Sequence, residues 1–452
     1  MIWQRSASEL QLAGPPKICE ALKSAFSEGG AYEFEASSMP NVCGTPAAVF
    51  QVSIVDAAAL PEAKDTPQEC GTDANGCRLA FDLGKSDIKV VAVQDNNVLY
   101  SQETEWDVTN PDPQYHYDAI LACLLKGKEA LPKIDAIGGS ATGTVSGANE
   151  ATWCDIFPNV PPDVYKEKVV DIFIRLAKEV AGDVPLKVIN DGEVTALAAV
   201  ARIKAGNVLG ISMGSSEGGG YANADGNLLG WINEMCYYRL DLNPDAPTDP
   251  WCKGAHTGLS HMYLGQRGAT KLAAKAGVVV PENLVYPHPD MCTIRHENHA
   301  QCLKKIQAAM ADPTQTEQVK QLYVTVGVYL GYALAQYLPG KYVPACMKTV
   351  SKMVDLTANI SIFISKPARM HLHRLLTYQP RRSRYSEFYK IDHVMILGRV
   401  SKGAGGDLML ATAKKVLETE FPDIQGITFH TADDHFKAVG QCIAAAALPP
   451  LK

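Results

Sequence analysis

Several features that mark common protein classes are missing from this chain. No uninterrupted apolar stretch approaches the roughly 18–20 residues that a bilayer span requires. Positive charge is in deficit: 42 Lys and Arg against 49 Asp and Glu leave a net charge of −7. A broad nucleic-acid footprint would need the opposite sign. The opening MIWQRSASELQ lacks the basic-then-apolar layout of a secretory signal. None of the 12 cysteines forms a Cys-x-x-Cys pair. They are scattered along a chain long enough to bury a core, so they read as free thiols of a reducing cytosol rather than a disulfide framework. What is present is ordinary globular composition, 452 residues with 46% hydrophobic and 20% charged, enough for two or three domains.

Residues 1–76 carry few regular signals. Turn residues gather around Gly29-Gly30 and Gly44-Thr45-Pro46, 61–71 reads as polar connector, and 49–55 is the one run with strand character. This part is an extension of unassigned role with no resemblance to a helix-turn-helix. From Cys77 the grammar changes. Strands are expected at 78–83, 88–93 and 98–100, with Asp95-Asn96-Asn97 as a turn. A helix over 118–131, a buried strand at 134–138, one helix over 165–181, a strand at 186–189 and an Ala-rich helix over 193–204 follow. The pattern then restarts, with strands at 208–213 and 218–222 and Asp225-Gly226 as a type I′ hairpin signal. Helices over 324–338, 407–420 and 438–447 and a strand at 394–397 complete it. Two related α/β halves are the expectation, 77–204 and 205–452. Residues 341–391 interrupt the second half: between 366 and 390 there are seven Lys or Arg and one acid, Glu387. Either a solvated insertion or a basic docking segment would account for them.

Four motifs carry chemistry. Asp82-Leu83-Gly84-Lys85-Ser86-Asp87 lies between two strands. Its glycine would let backbone N–H groups approach phosphate oxygens, Ser86 adds a donor, and Asp82 can hold Mg²⁺ through water; a polar hairpin explains it as well. Gly214-Ser215-Ser216-Glu217-Gly218-Gly219-Gly220 again lies between strands. Three glycines in a strand imply either a ligand phosphate close by or a bulge. Asn190-Asp191-Gly192-Glu193 sits at the carboxyl end of a strand, where α/β proteins put ligands, although an Asp at a helix start also serves as a plain cap. Gly398 to Asp407, rich in glycine between a strand and a helix, is either an anion site or tight packing.

The order and spacing of these motifs resemble the superfamily of sugar kinases, heat-shock ATPases and actin, and more closely its ROK (repressor, open reading frame, kinase) group. The resemblance runs from about Arg78 to the C-terminus, apart from 341–391. The resemblance implies a two-lobed actin-like (ribonuclease H-like) α/β fold, each lobe a mixed sheet with flanking helices and a cleft between lobes. It implies a cytoplasmic, ATP- and Mg²⁺-dependent hexose kinase of glucokinase type, taking a small sugar as partner, with neither nucleic acid nor membrane, and dimers are usual in such families. Asp191 then matches the catalytic base, and Asn159, Asn190 and Glu234 match sugar contacts. Asp82, Gly84, Ser86, Gly214, Ser215, Gly218 and Gly219 match the phosphate hairpins, with Asp82 toward Mg²⁺, while Gly398, Gly405 and Gly406 match the adenosine side. Three departures stand out. Tyr237 replaces the family's His, Lys85 and Glu217 occupy positions where small residues are usual, and the zinc loop keeps only Cys252 of its thiols, so no structural zinc is expected. The alternative is a sugar- or nucleotide-binding sensor of the same fold with little turnover.

Overall fold

A computed structural model of the chain describes residues 2–43, 49–61, 65, 67, 68, 70, 75–243, 245–249, 252, 256–278, 296–338, 390–431 and 440. The chain divides into two compact units: Met1–Ser212 with Gly218–Glu234 and Ala432–Lys452, and Met213–Glu217 with Met235–Thr431.

The first unit opens with α1 (Ile2–Arg5), β1 (Glu9–Leu12), α2 (Pro16–Ala25) and α3 (Glu33–Val42). β1 pairs in parallel with β2 (Gln51–Ile54), the core of the run expected at 49–55. The two ten-residue helices carry weak sequence signals: only Cys19 of α2 is buried, and the four buried residues of α3 include Glu35 and Pro40 beside Met39 and Val42.

The main sheet of this unit has the order β5-β4-β3-β6-β9. β3 (Cys77–Leu83) lies between neighbours on both sides, and six of its seven residues are buried, which is why it reads as a near-continuous apolar run. β4 (Asp87–Gln94) returns antiparallel, and β5 (Asn97–Glu105) forms the edge, alternating exposed and half-buried residues after its exposed start. Asp95 and Asn96 both take positive φ (49° and 67°), the two-residue type I′ turn that joins twisted strands. β3, β6 (Ala136–Ala141) and β9 (Leu186–Asn190) are parallel, so their carboxyl ends fall on one edge. The connections are helical. α4 (Pro113–Glu129) begins five residues before the expected start because Asp112 caps it and Pro113 fits the first turn. The hairpin β7 (Gly143–Val145) and β8 (Ala151–Cys154) precedes α5 (Pro162–Lys168) and α6 (Ile172–Ala181). The single helix expected over 165–181 is broken, since the Val170 carbonyl accepts the Ala151 N–H at 2.8 Å and so leaves the helical ladder. Ile172, Phe173, Leu176 and Val180 of α6 are buried in one core with Leu79, Phe81, Ile120, Leu124 and Ile137.

α7 (Asp191–Ile203) follows β9 directly, and β10 (Val208–Met213) and β11 (Glu217–Ala222) are neighbouring strands. α7 is thin and almost wholly buried beyond its first turn. Gly210 gives it room, as a Cβ there would strike the backbone of Ala196. The turn at Asp225-Gly226 is not type I′: only Gly226 has positive φ (81°), and its N–H bonds the Asn223 carbonyl at 2.9 Å. A type I turn ending in one left-handed glycine results.

The second unit contains α8 (Gln266–Ala276), α9 (His296–Ala309), α10 (Thr316–Tyr337), β12 (His393–Leu397), α11 (Gly403–Glu420) and β13 (Thr428–Thr431), with β12 and β13 parallel. α10 and α11 approach closely through Gly327, where a Cβ would lie 2.5 Å from the Met409 carbonyl. The basic segment 341–391, except Lys390 and Ile391, and the helix expected over 438–447, except Gly440, lie outside the described residues. No helix among the described residues is long and apolar enough to cross a membrane.

Candidate functional site

The β9–α7 junction is built by one asparagine. The Asn190 side chain accepts the Gly192 N–H at 2.7 Å, and Glu193 returns to the Asn190 N–H at 3.4 Å, a capping box. The Asn190 amide also donates to the Gly143 carbonyl at 2.8 Å, tying the junction to the β7–β8 hairpin. The cap therefore belongs to Asn190, and capping does not account for Asp191, the first helical residue. Asn190, expected to touch sugar, spends its side chain within the protein.

The glycines of β11 lie against this first turn of α7. A Cβ on Gly192 would collide with Gly219, and one on Gly220 would stand 2.5 Å from the Glu193 Cα. A Cβ on Gly218 would come 3.2 Å from Asp191 Oδ1. The triple glycine thus serves backbone-on-backbone packing, and it brings the Asp191 carboxylate to the start of the Gly-rich strand. The two outer positions should respond differently to alanine. Gly220→Ala meets immovable backbone and should lower the unfolding free energy by about 2 kcal/mol, as overpacking does. Gly218→Ala meets a side-chain oxygen and should melt near wild type in a thermal scan; equal losses in both would contradict this packing.

Asp82 reaches the same edge of the sheet. It is in register with Ser140, which is in register with Ile189, so two strands, roughly 10 Å, separate Asp82 from the residue before Asn190. The buried Asp82 accepts a hydrogen bond from the Ser140 hydroxyl, and its other oxygen lies 3.9 Å from Lys89 Nζ. Burial pulls the Lys89 ammonium down, but Asp82 and Asp87 outweigh it and hold it well above its usual range. With one oxygen on a hydroxyl and the other facing an ammonium, Asp82 suits a hydrated divalent ion better than direct coordination. Lys85 is buried and turned to Asp155, at 3.1 Å. Gly84 donates to the Asp87 carbonyl and accepts from Trp106 Nε1; a Cβ there would make only ordinary contacts, and Ser86 is half-buried in the same turn. Asn159 is exposed, its amide donating to the Thr109 carbonyl at 2.7 Å. Glu234 is half-buried, and its N–H donates to the Trp3 carbonyl at 2.7 Å.

In the second unit, the Gly214 carbonyl accepts the Gln266 N–H at 2.9 Å, and a Cβ on Gly265 would lie 2.9 Å from the Ser215 carbonyl, so the hairpin tip rests on the start of α8. Glu217 turns away from the tip. It is buried, takes the Ser260 hydroxyl, and accepts the Tyr337 hydroxyl at 2.9 Å. Burial pushes its carboxyl up to about 7 against both hydrogen bonds. Ser260 is committed to this cluster. The glycines of the last motif have packing reasons. Gly398 (φ 102°) abuts the Met213 backbone, Gly405 faces the Tyr323 ring, and Gly406 abuts the Ser401 carbonyl. Gly403, at the uncapped start of α11, faces open space. In the loop around Cys252, Asp249 accepts the Cys252 N–H at 3.1 Å and stands 3.3 Å from His261 Nε2, with Arg267 at His261 Nδ1. Among the described residues no group of three His, Cys, Asp or Glu is placed to hold a metal.

No family model matches the chain, and no curated protein does. Solved structures do. A ROK family glucokinase from Streptomyces griseus, in complex with glucose and AMPPNP, is 17% identical over 82% of this chain and 99% of its own, with a TM-score of 0.54. A ROK family transcriptional regulator, a homologue of the E. coli MLC protein, is 13% identical over 82% of this chain and 77% of its own, with a TM-score of 0.51. At these identities the likeness establishes the fold: an α/β chain of mixed sheets and flanking helices, of the kind that ROK kinases and regulators share.

Proposed function

We propose that the chain is an ATP-dependent sugar kinase acting on a hexose of the glucose type. One observation carries the reading: Asp191 stands at the carboxyl end of β9 with the cap supplied by its neighbour, and its carboxylate meets the first glycine of the Gly-rich strand. Phosphoryl transfer needs positioning and charge neutralisation more than covalent help. In this reading Asp191 accepts the proton of the attacking sugar hydroxyl, the oxygen bonds the γ-phosphorus, and the bond to ADP breaks. The turns at Gly84-Ser86 and Gly214-Ser215 hold the phosphates, Gly218 and Gly219 give the donor close access, and Gly398, Gly405 and Gly406 shape the adenosine side. Asp82 would hold hydrated Mg²⁺, which neutralises phosphate charge when bound. Asn159 and Glu234 contact the sugar, as does the turn that Asn190 fixes. Purified protein incubated with ATP and a panel of hexoses should release ADP above the sugar-free rate with at least one.

A binding protein with little turnover is the second reading, favoured by the buried Lys85–Asp155 pair and by Lys89 facing Asp82. Hexose binding by calorimetry without ADP release across the same panel would select it.

A further inference from the structure

The first unit holds a cavity of about 200 Å³ that the sequence motifs do not announce. One wall comes from the N-terminal extension, through Ser6, Cys43 and Gln68; the others come from the β7–β8 hairpin, the β9–α7 junction and the 230–232 segment. The extension also sets the position of Trp231 in that segment. Arg5 stacks 4.2 Å over the indole ring, Asp65 accepts its Nε1–H at 3.1 Å and pairs with Arg5, and Tyr221 stacks on the ring with centroids 5.7 Å apart. Asp191, Asn159 and Glu234 do not line the cavity; Asn190 does, with its side chain committed to Gly192 and Gly143.

Its polar lining divides in two. The side chains of Thr144, Ser146 and Asn190 are engaged in hydrogen bonds of the protein itself. The Lys187 ammonium and the Gln68 carboxamide, by contrast, make no hydrogen bond or ion pair with a described residue. Glu193, also in the wall, receives a single long hydrogen bond from the described residues. We propose that this cavity is a ligand site separate from the sugar site, taking a small hydroxylated carboxylate whose charge meets Lys187 and whose oxygens meet Gln68 and Glu193.

Charge selects that class, and size admits it. At about 30 Å³ per water, the space holds at least six or seven water molecules, so a compound of that many heavy atoms has room. One ammonium balances one carboxylate, whereas a phosphate dianion would leave excess negative charge beside Glu193. Burial holds the Glu193 carboxyl up at about 7, against the Asn190 N–H and Lys187, so near neutrality it can still donate a proton to a bound carboxylate. Affinity should therefore fall as pH rises through 7.

Calorimetry on the full chain tests this without reference to phosphorylation. D-Glycerate is expected to bind, while glycerol and inorganic phosphate are not. Lys187→Met should weaken D-glycerate at least tenfold and leave the ligand-free melting midpoint unchanged; Gln68→Leu should weaken it less. Glucose should not compete. No binding of D-glycerate to the wild-type chain, equal affinity in Lys187→Met, equal binding of glycerol, or displacement by glucose would each overturn the proposal. Failure of the sugar panel to release ADP would leave it untouched.

Discussion

Asp191→Asn is expected to slow sugar phosphorylation by about 10²–10⁴-fold, the range that a positioned general base supplies, while hexose binding stays within a few-fold of wild type. The amide has the shape of the carboxylate, and the cap that holds α7 is the side chain of the preceding residue, Asn190. The favourable placement of a negative charge at a helix N-terminus is lost, about 0.3–1 kcal/mol. Asn190→Ala is the opposite case. It removes the acceptor for the Gly192 N–H and the donor to Gly143, so it should lower stability by about 1 kcal/mol or more. A rate near wild type in Asp191→Asn, followed by coupled ADP release, would defeat the assignment of this residue as the base.

The β9–α7 junction could be read from sequence because every force that builds it is local. A short apolar run ends in Asn, and Glu follows three residues later, which is the pattern of a capping box; the pattern reading erred by one position in weighing Asp191 for the cap. The strands expected at 208–213 and 186–189 are similarly plain, as apolar runs bounded by turns. What escaped depends on residues far apart. Nothing near Glu217 announces Ser260 or Tyr337, 43 and 120 residues away, and the break between α5 and α6 is decided by an N–H on β8. The glycines at 218–220, 405 and 406 are visible as glycines, but their reason is the helix or ring that lies against them, which only the fold supplies. Residues 1–76 follow the same rule: Gln68 and Trp231 share a cavity although 163 positions separate them along the chain.

Glu217 gives the second large effect, on stability rather than rate. Its carboxyl is raised from 4.5 to about 7 by burial, which the hydrogen bonds from Ser260 and Tyr337 only partly offset. The groups facing it are those two hydroxyls, and Tyr337 stays neutral because burial first, then Glu217 itself, holds its phenol well above the ordinary range. A carboxyl with a raised folded-state pKa stabilises the fold fully below about 4.5, and that contribution is lost as pH rises through about 7. The displacement is worth roughly 3 kcal/mol, at about 1.4 kcal/mol per tenfold change in proton affinity. Glu217→Gln keeps the size, accepts one of the two hydroxyls through its carbonyl oxygen and donates to the other through its amide, but cannot ionise. Other groups titrate in the same interval, so the informative quantity is the difference between the two proteins. At pH 5 their melting midpoints should be similar, and by pH 8.5 Glu217→Gln should be the more stable, by up to that amount. Parallel stability curves from pH 5 to 8.5 would mean that Glu217 ionises without penalty and that its hydrogen bonds, not its burial, govern it. Because Glu217 closes the hairpin that begins at Gly214, the same titration should loosen the loop assigned to the donor phosphates, so nucleotide affinity should fall with rising pH in wild type and hold steady in Glu217→Gln.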